Sequence, residues 1–184
     1  MIQIAILGFG TVGKGVAKVT EKNAAQIEKR IGEPLQVKTI LVRHFQDGPY
    51  RQLMTDDFSR IEEDDDISVV VETIGGVDAA YTYTKRALAA GKHVVTANKQ
   101  LICEHGYELL QLAKRRRVHY LFEASVGGGI PILHPLTQCI AGNRIEEVYG
   151  ILNGTSNYIL TQMVQNGASF ADALKQAQQL GYAE

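Results

Sequence analysis

The feature that most constrains the fold of this chain is a short apolar segment that runs directly into a glycine-rich turn. Residues 2–7 read IQIAIL, and residues 8–13 read GFGTVG. A short, uninterrupted apolar run predicts a strand buried on both faces. The apolar residues after the turn recur every three or four positions, which predicts a helix. This order of strand, glycine turn and helix indicates the start of a parallel α/β sheet.

The turn fits the pattern GxGxxG, which holds the diphosphate of a dinucleotide when it joins a strand to a helix. Gly8 permits the tight turn, Gly10 lets a diphosphate approach the backbone, and Gly13 allows the helix to pack closely. The following helix offers unpaired N–H groups and the positive end of its dipole to the phosphates. We therefore expect a dinucleotide at this turn. The alternative is a glycine turn with a structural role only.

Strands and helices alternate through the first 130 residues. Further strands are predicted at 35–42, 67–71, 93–96 and 118–122, and helices within 12–31 and over 77–90 and 99–117, with a short helix possible within 51–59. The alternation predicts an α/β fold over residues 1–130, a Rossmann-type doubly wound parallel sheet with helices on both faces.

Residues 131–184 show a different pattern. A helix is predicted at 132–140, a strand at 145–152, and two more helices from residue 153 to residue 180. One strand and a few helices are too little material to enclose a second core. We therefore interpret this segment as the incomplete beginning of an α+β domain.

The end of the second predicted strand bears on the choice of coenzyme. NAD sites usually carry an acidic residue there for the ribose 2′-hydroxyl, whereas this strand runs into Arg43 and His44. A guanidinium suits the oxygens of a 2′-phosphate. Arg43 therefore favours NADP. The alternative is that Arg43 is an ordinary surface arginine and that the protein uses both NAD and NADP.

Lys99 follows the fourth predicted strand in the segment TANK. The carboxyl ends of parallel strands share one edge of the sheet, where ligands bind in open α/β folds. A lysine there can contact the coenzyme or a substrate carboxylate, or stabilise a developing alkoxide. The alternative is a solvated lysine, but a cation is unfavourable beside a helix N-terminus. We expect Lys99 to be functional.

Composition excludes several other classes of function. The net charge of −1 gives no electrostatic reason to expect nucleic acid or an anionic membrane as a partner. No apolar run approaches the roughly 18 residues that a membrane span requires. Cys103 and Cys139 form no CxxC pair, which favours a reducing compartment, the cytoplasm. The five adjacent acids at 62–66 are more typical of a solvated loop than of a metal site.

Five motifs together make the chain resemble the homoserine dehydrogenase family. They are GFGTVG at 8–13, VVTANK at 94–99, EASVGGGIP at 123–131, NGTSNYIL at 153–160 and LGYAE at 180–184. The resemblance implies hydride transfer with NAD(P)H between L-aspartate 4-semialdehyde and L-homoserine, in threonine and methionine biosynthesis. It also implies that residues 131–184 begin the substrate and dimerisation domain, and that the full-length protein is a homodimer.

The resemblance also assigns roles to individual residues. Phe9, Thr11 and Val12 match the loop that contacts the coenzyme, and Lys99 matches a lysine at the nicotinamide and substrate end. Gly181 matches a coenzyme-contacting glycine, and Glu184 an acid that holds homoserine. A monovalent cation, usually sodium, is bound in the family by main-chain carbonyls. The matching positions are Glu123, Val126, Gly128 and Ile130. The alternative for this loop is a glycine-rich hinge without an ion.

The sequence departs from the family pattern where it stops. The family's substrate-binding aspartate and proton-donating lysine follow the GYAE segment, so we expect these 184 residues alone to be inactive. Two other interpretations remain. The chain could be a nucleotide-binding sensor module without catalysis, or a related dehydrogenase acting on another amino acid or aldehyde.

Overall fold

Six parallel strands form one sheet in the computed structural model, which describes residues 1–151 and 153–183. The strands are β1 (Ile2–Leu7), β2 (Leu35–Leu41), β3 (Met54–Thr55), β4 (Ile67–Glu72), β5 (His93–Thr96) and β6 (Tyr120–Leu121). Their order is β3-β2-β1-β4-β5-β6. Successive strands are added outward on one side of β1 as far as β3 and then on its other side from β4 onward, so the topological switch point lies between β1 and β4. This is the strand order of a Rossmann fold, and the switch point creates a crevice at the carboxyl edge.

Helices cover both faces of this sheet. They are α1 (Thr11–Lys22), α2 (Ala24–Ile31), α3 (Ser59–Glu62), α4 (Asp78–Ala89) and α5 (Lys99–Arg116). Side chains of β1 alternate between the two cores, since Ala5 and Leu7 pack with residues of α4 and α5, whereas Ile6 packs with Ala17 of α1. The predicted doubly wound sheet is therefore confirmed.

Two elements of this sheet domain differ from the sequence prediction. The helical pattern over 12–31 is broken at Asn23, which has non-helical backbone angles and separates α1 from α2. Asparagine favours such breaks because its side chain competes for local backbone hydrogen bonds. The short helix expected within 51–59 is wrong for most of that range. A single 3₁₀ turn at Arg51–Leu53 leads into β3, whose two residues pair with Ile40 and Leu41.

The contacts within the chain define two compact units, Met1–Gly128 and Gly129–Glu184. The second unit contains α6 (Gly154–Asn166) and α7 (Phe170–Gln179), which pack through Ile159, Ala173 and Ala177. Both helices are capped at their N-termini, because Asn153 accepts a hydrogen bond from Ser156 N at 2.8 Å and Ser169 accepts one from Asp172 N at 3.2 Å.

One prediction for the second unit is confirmed with a difference in helix type, and another is wrong. The helix expected at 132–140 is present at 133–139, and its last five residues, Pro135–Cys139, are π-helical. The strand expected at 145–152 is absent from residues 145–151, and Leu152 lies outside the described residues. A strand requires a partner for its backbone groups, and the described residues of this unit provide none. Across the described parts of the chain, no helix is both long and apolar enough to cross a bilayer.

Candidate functional site

The site begins where β1 ends in the glycine turn. Gly8 has a φ of +88°, and a Cβ added there would lie 2.9 Å from the carbonyl oxygen of Thr73. A Cβ on Gly13 would lie only 2.2 Å from the carbonyl oxygen of Gly8. Any side chain at either position would force the backbone apart. These two glycines therefore bring α1 into close contact with the turn, as the motif predicts.

Gly10 serves a different purpose. It is the N-cap of α1, and a Cβ added to it would meet no atom within 4 Å. The first amides of an α-helix have no carbonyl partner inside the helix, so those of Thr11, Val12 and Gly13 remain available at this end. An open approach in front of unpaired amides is the arrangement that binds a phosphate.

Thr73 and Gln46 hold this turn in place. The hydroxyl of Thr73 donates a hydrogen bond shared between the carbonyls of Leu7 and Gly8, at 2.9 and 3.0 Å. The side-chain amide of Gln46 donates to the carbonyl of Phe9 at 3.3 Å. The Phe9 ring itself is buried against Tyr50, so Phe9 presents its main chain to the groove. Neither Thr73 nor Gln46 was singled out in the sequence.

A groove of about 590 Å³ opens in front of the glycine turn. Its walls come from the ends of β1, β2 and β4 and from α4. Residues that line it include Gly8, Gly10, Arg43, Asp56, Thr73 and Tyr83. The predicted residue Arg43 is thus at the groove, exposed two residues after the end of β2. Asp56 lies at the same groove and was missed, because the short strand β3 before it carries no recognisable pattern.

Lys99 lies on the same edge of the sheet but outside the lining of this groove. It is the exposed first residue of α5, and Asn98 caps that helix by accepting a hydrogen bond from Leu101 N at 3.0 Å. The side-chain amide of Asn98 also donates to the carbonyls of Ile74 and Gly76, at 3.1 and 2.6 Å. The start of α5 is therefore fastened to the loop after β4.

Glu72, the last residue of β4, is completely buried between these segments. Its carboxylate accepts hydrogen bonds from Thr96 Oγ1 at 2.5 Å and from Ile74 N at 2.6 Å. Burial raises the pKa of the Glu72 carboxyl, against the hydrogen bonds from Thr96, Ile74 and Asn98, which lower it. Sequence reasoning missed Glu72, because an acid at the end of a strand reads as an ordinary polar terminus.

The remaining predicted site residues are distributed over both units. Glu123, Val126 and Gly128 belong to the first unit and Ile130 and Gly181 to the second. The first two are joined by a hydrogen bond from Val126 N to the Glu123 carbonyl at 3.2 Å. Glu184 lies outside the described residues. Among the residues that are described, no three His, Cys, Asp or Glu side chains cluster as metal ligands.

Comparison with known proteins identifies the relatives of this chain. A family model described as the homoserine dehydrogenase NAD binding domain matches residues 8–123, and one described as homoserine dehydrogenase matches residues 131–184. A curated homoserine dehydrogenase from Helicobacter pylori is 46% identical over 184 residues, which are 100% of this chain and 43% of that protein. The chain thus spans less than half the length of the curated relatives it matches.

Solved structures agree with this match. The homoserine dehydrogenase from Thiobacillus denitrificans has a TM-score of 0.91 and 43% identity, over 100% of this chain and 43% of that one. A hyperthermophilic archaeal homoserine dehydrogenase in complex with NADPH has a TM-score of 0.83 and 27% identity, over 100% of this chain and 62% of that one. Because the NAD binding domain model alone accounts for most of the residues and the fold agrees throughout, the chain belongs to the homoserine dehydrogenase family.

Proposed function

We propose that this protein acts as an NAD(P)-dependent homoserine dehydrogenase, interconverting L-aspartate 4-semialdehyde and L-homoserine on the route to threonine and methionine. The observation that carries the proposal is the clamped glycine turn in front of an open groove, with Lys99 on the same edge of the sheet. We further propose that the working protein is a homodimer. Its two free, exposed cysteines fit a cytoplasmic location.

The coenzyme diphosphate would bind at the amides of Thr11, Val12 and Gly13. The dipole of α1 and the absence of a side chain at Gly10 both favour an anion there. Bound NADPH supplies the hydride for reduction of the aldehyde. Family membership supports this coenzyme, as does the named archaeal relative that was solved with NADPH.

Arg43 and Asp56 would decide between the two coenzymes. Both line the groove at the ends of neighbouring strands β2 and β3. A guanidinium attracts a 2′-phosphate, whereas a carboxylate repels it and accepts a hydrogen bond from a free 2′-hydroxyl. We propose NADP as the main coenzyme, since the exposed Arg43 lines the groove just beyond the end of β2, with NAD as the alternative.

Lys99 would act at the reacting end of the site. Its ammonium group can hold a substrate carboxylate or stabilise charge on the substrate oxygen. Gly181 would contact the coenzyme and Glu184 would hold homoserine. Both of these roles are carried over from the family pattern.

A monovalent cation, sodium, is the remaining proposal for this site. Hard cations prefer oxygen ligands, and the backbone turns sharply at Gly127 and Gly128, whose φ angles are 70° and 60°. The ligands would be the main-chain carbonyls of Glu123, Val126, Gly128 and Ile130. Replacing sodium chloride by choline chloride should lower the melting temperature if the ion binds.

Coenzyme titration of Arg43→Ala tests the central proposal. Loss of one charge-assisted contact to the 2′-phosphate should raise the dissociation constant of NADPH about tenfold while leaving that of NADH unchanged. Fluorescence titration of the bound nicotinamide measures both constants. The matched control is Arg30→Ala, an exposed arginine at the end of α2. Failure of the wild-type chain to bind either coenzyme would refute the proposal.

A further inference from the structure

The carboxyl group of Glu72 lies in a fully buried position, where an apolar side chain would cost less free energy of desolvation. Its side chain is fully buried, and burial of a carboxylate costs free energy unless its oxygens are well hydrogen-bonded. An apolar residue of similar size would avoid this cost. What Glu72 adds, therefore, is its hydrogen bonds, and these go to two different segments of the chain.

The hydrogen bonds of Glu72 are part of a closed network. One oxygen accepts from Ile74 N in the loop after β4, and the other accepts from the Thr96 hydroxyl at the end of β5. The Thr96 oxygen in turn accepts from Asn98 N at 2.9 Å. The Asn98 amide donates back to the carbonyl of Ile74 at 3.1 Å, which closes the network.

This network sets the position of both loops at the carboxyl edge. Ile74 and Gly75 line the coenzyme groove, and Asn98 caps the helix on which Lys99 is the first residue. The neighbouring residue Thr73 points its hydroxyl the other way, to the glycine turn. The end of β4 thus holds the glycine turn through Thr73 and the start of α5, which carries Lys99, through Glu72.

We infer that Glu72 is a positioning residue for the reacting half of the site, because it holds loop 73–76 and the start of α5 in a fixed arrangement. The functional consequence, which is that the nicotinamide end of the coenzyme is placed correctly relative to Lys99, rests on the proposed function. Glu72 itself does not line the groove.

Both oxygens must accept hydrogen bonds for the network to close. In Glu72→Gln the carbonyl oxygen can still accept from Ile74 N, but the amide group is a donor and faces the Thr96 hydroxyl. The amide can donate to the Thr96 oxygen, which has a second lone pair besides the one that accepts from Asn98 N, but the Thr96 hydroxyl hydrogen then has lost its acceptor. The substitution preserves size and leaves one buried donor of this network unsatisfied, which makes it a specific test.

Hydrogen exchange measured by mass spectrometry on the 184-residue chain tests the inference directly. In Glu72→Gln, peptides covering 73–76 and 97–101 should exchange at least about fivefold faster, because the unsatisfied Thr96 hydroxyl weakens the network that joins the two segments by about 1 kcal/mol or more. Peptides covering 8–13 should exchange at the wild-type rate. Thr96→Val removes the same link together with the acceptor of Asn98 N, and it should speed exchange in the same two segments, which covers the case in which Glu72→Gln does not fold.

Tyr120→Phe is the matched control. Its hydroxyl is buried and has no hydrogen-bond partner among the described residues. Burial raises the pKa of this hydroxyl, and the negative charge of Glu72 raises it further. Removal of this hydroxyl should leave exchange in both loops unchanged. Unchanged exchange in Glu72→Gln, or a uniform increase throughout the sheet, would overturn the inference.

A pair of ligands provides the functional readout. NADPH extends to the nicotinamide end, whereas adenosine 2′,5′-bisphosphate carries only the part that faces Arg43 and the glycine turn. Glu72→Gln should raise the dissociation constant of NADPH about fivefold and leave that of the bisphosphate unchanged. Equal weakening of both ligands would indicate a purely structural role and overturn the inference. If the wild-type chain binds neither ligand, the proposed function fails, and hydrogen exchange still decides the role of Glu72.

Discussion

At the scale of single residues, Gly13 is the point at which the coenzyme turn tolerates least change. A Cβ there would overlap the backbone carbonyl of Gly8, and backbone atoms cannot rotate away as the tip of a side chain can. The first turn of α1 and the backbone at Gly8 would have to move apart to admit one methyl group. Gly15, two residues further along the same helix, faces open space. Alanine substitutions at Gly13 and Gly15 therefore distinguish the steric requirement at Gly13 from the general helix propensity of the residue.

Gly13→Ala should lower the free energy of unfolding by about 1–3 kcal/mol, the usual cost of overpacking. It should also weaken NADPH binding, because α1 moves away from the turn. Gly15→Ala should raise the free energy of unfolding by up to about 1 kcal/mol, since alanine is the better helix former. Urea unfolding and coenzyme titration measure these effects. Similar results for the two variants would contradict the steric argument.

Residues that hold the site together were beyond the reach of sequence reasoning. The glycines and Arg43 could be predicted, since each is defined by its place next to a strand. Thr73 and Glu72 act across the sheet, on partners 66 and 24 residues away in the chain. Only the parallel pairing of β1, β4 and β5 brings those partners together.

At the scale of elements, long apolar segments were predictable and short ones were not. The bounds predicted for β1 and β5 are confirmed, because each is an apolar run buried by its neighbours on both sides. The two-residue strand β3 has no period to detect, and its backbone pairing with β2 defines it. In the second unit the apolar segment at 145–151 forms no strand, since apolar character alone supplies no partner.

The acidic segment 62–66 is organised by ion pairs that join it to other elements. Arg86 of α4 contacts Glu62, and Lys38 of β2 contacts both Asp64 and Asp66 at 2.8 Å. The sequence predicts a solvated loop there, and residues 63–66 do form a largely exposed turn, in which these ion pairs fasten the approach to β4. The hydrogen bond that Lys38 donates to Asp64 is the main reason why the pKa of the Asp64 carboxyl lies below its ordinary value.

Asp64→Asn should show how stability at this segment depends on pH. A carboxyl whose pKa is lowered on folding stabilises the protein above its unfolded pKa, and the contribution is lost as the pH falls through the folded pKa. The substitution should therefore cost about 0.5–1 kcal/mol at pH 7 and little at a pH near 2. Asp66→Asn, whose side chain is 71% exposed, should cost less. Urea unfolding at several pH values provides the test, and a cost that persists in acid would count against the ion pair.

At the scale of the whole molecule, the two units bury very different amounts of apolar surface. The first encloses two clusters of buried side chains, one on each face of the sheet, whereas the buried cluster among the described residues of the second consists of Ile159, Ala173 and Ala177. The second unit also exposes large apolar residues along and before its helices. They include Tyr149, Ile151, Leu160, Val164, Phe170 and Leu180.

This exposed apolar surface predicts self-association of the chain. Adjacent apolar side chains in water are stabilised by burial against another molecule, at about 25 cal/mol for each Å² covered. Sedimentation velocity should show a weight-average mass that rises with protein concentration. The double variant Ile151→Ser and Val164→Ser should reduce that rise, because these two side chains are 75% and 82% exposed. Val19→Ser on α1 of the first unit, 54% exposed, is the control and should leave association unchanged. A chain that remains monomeric at all concentrations, or equal effects of the two replacements, would show that the second unit's surface does not drive association.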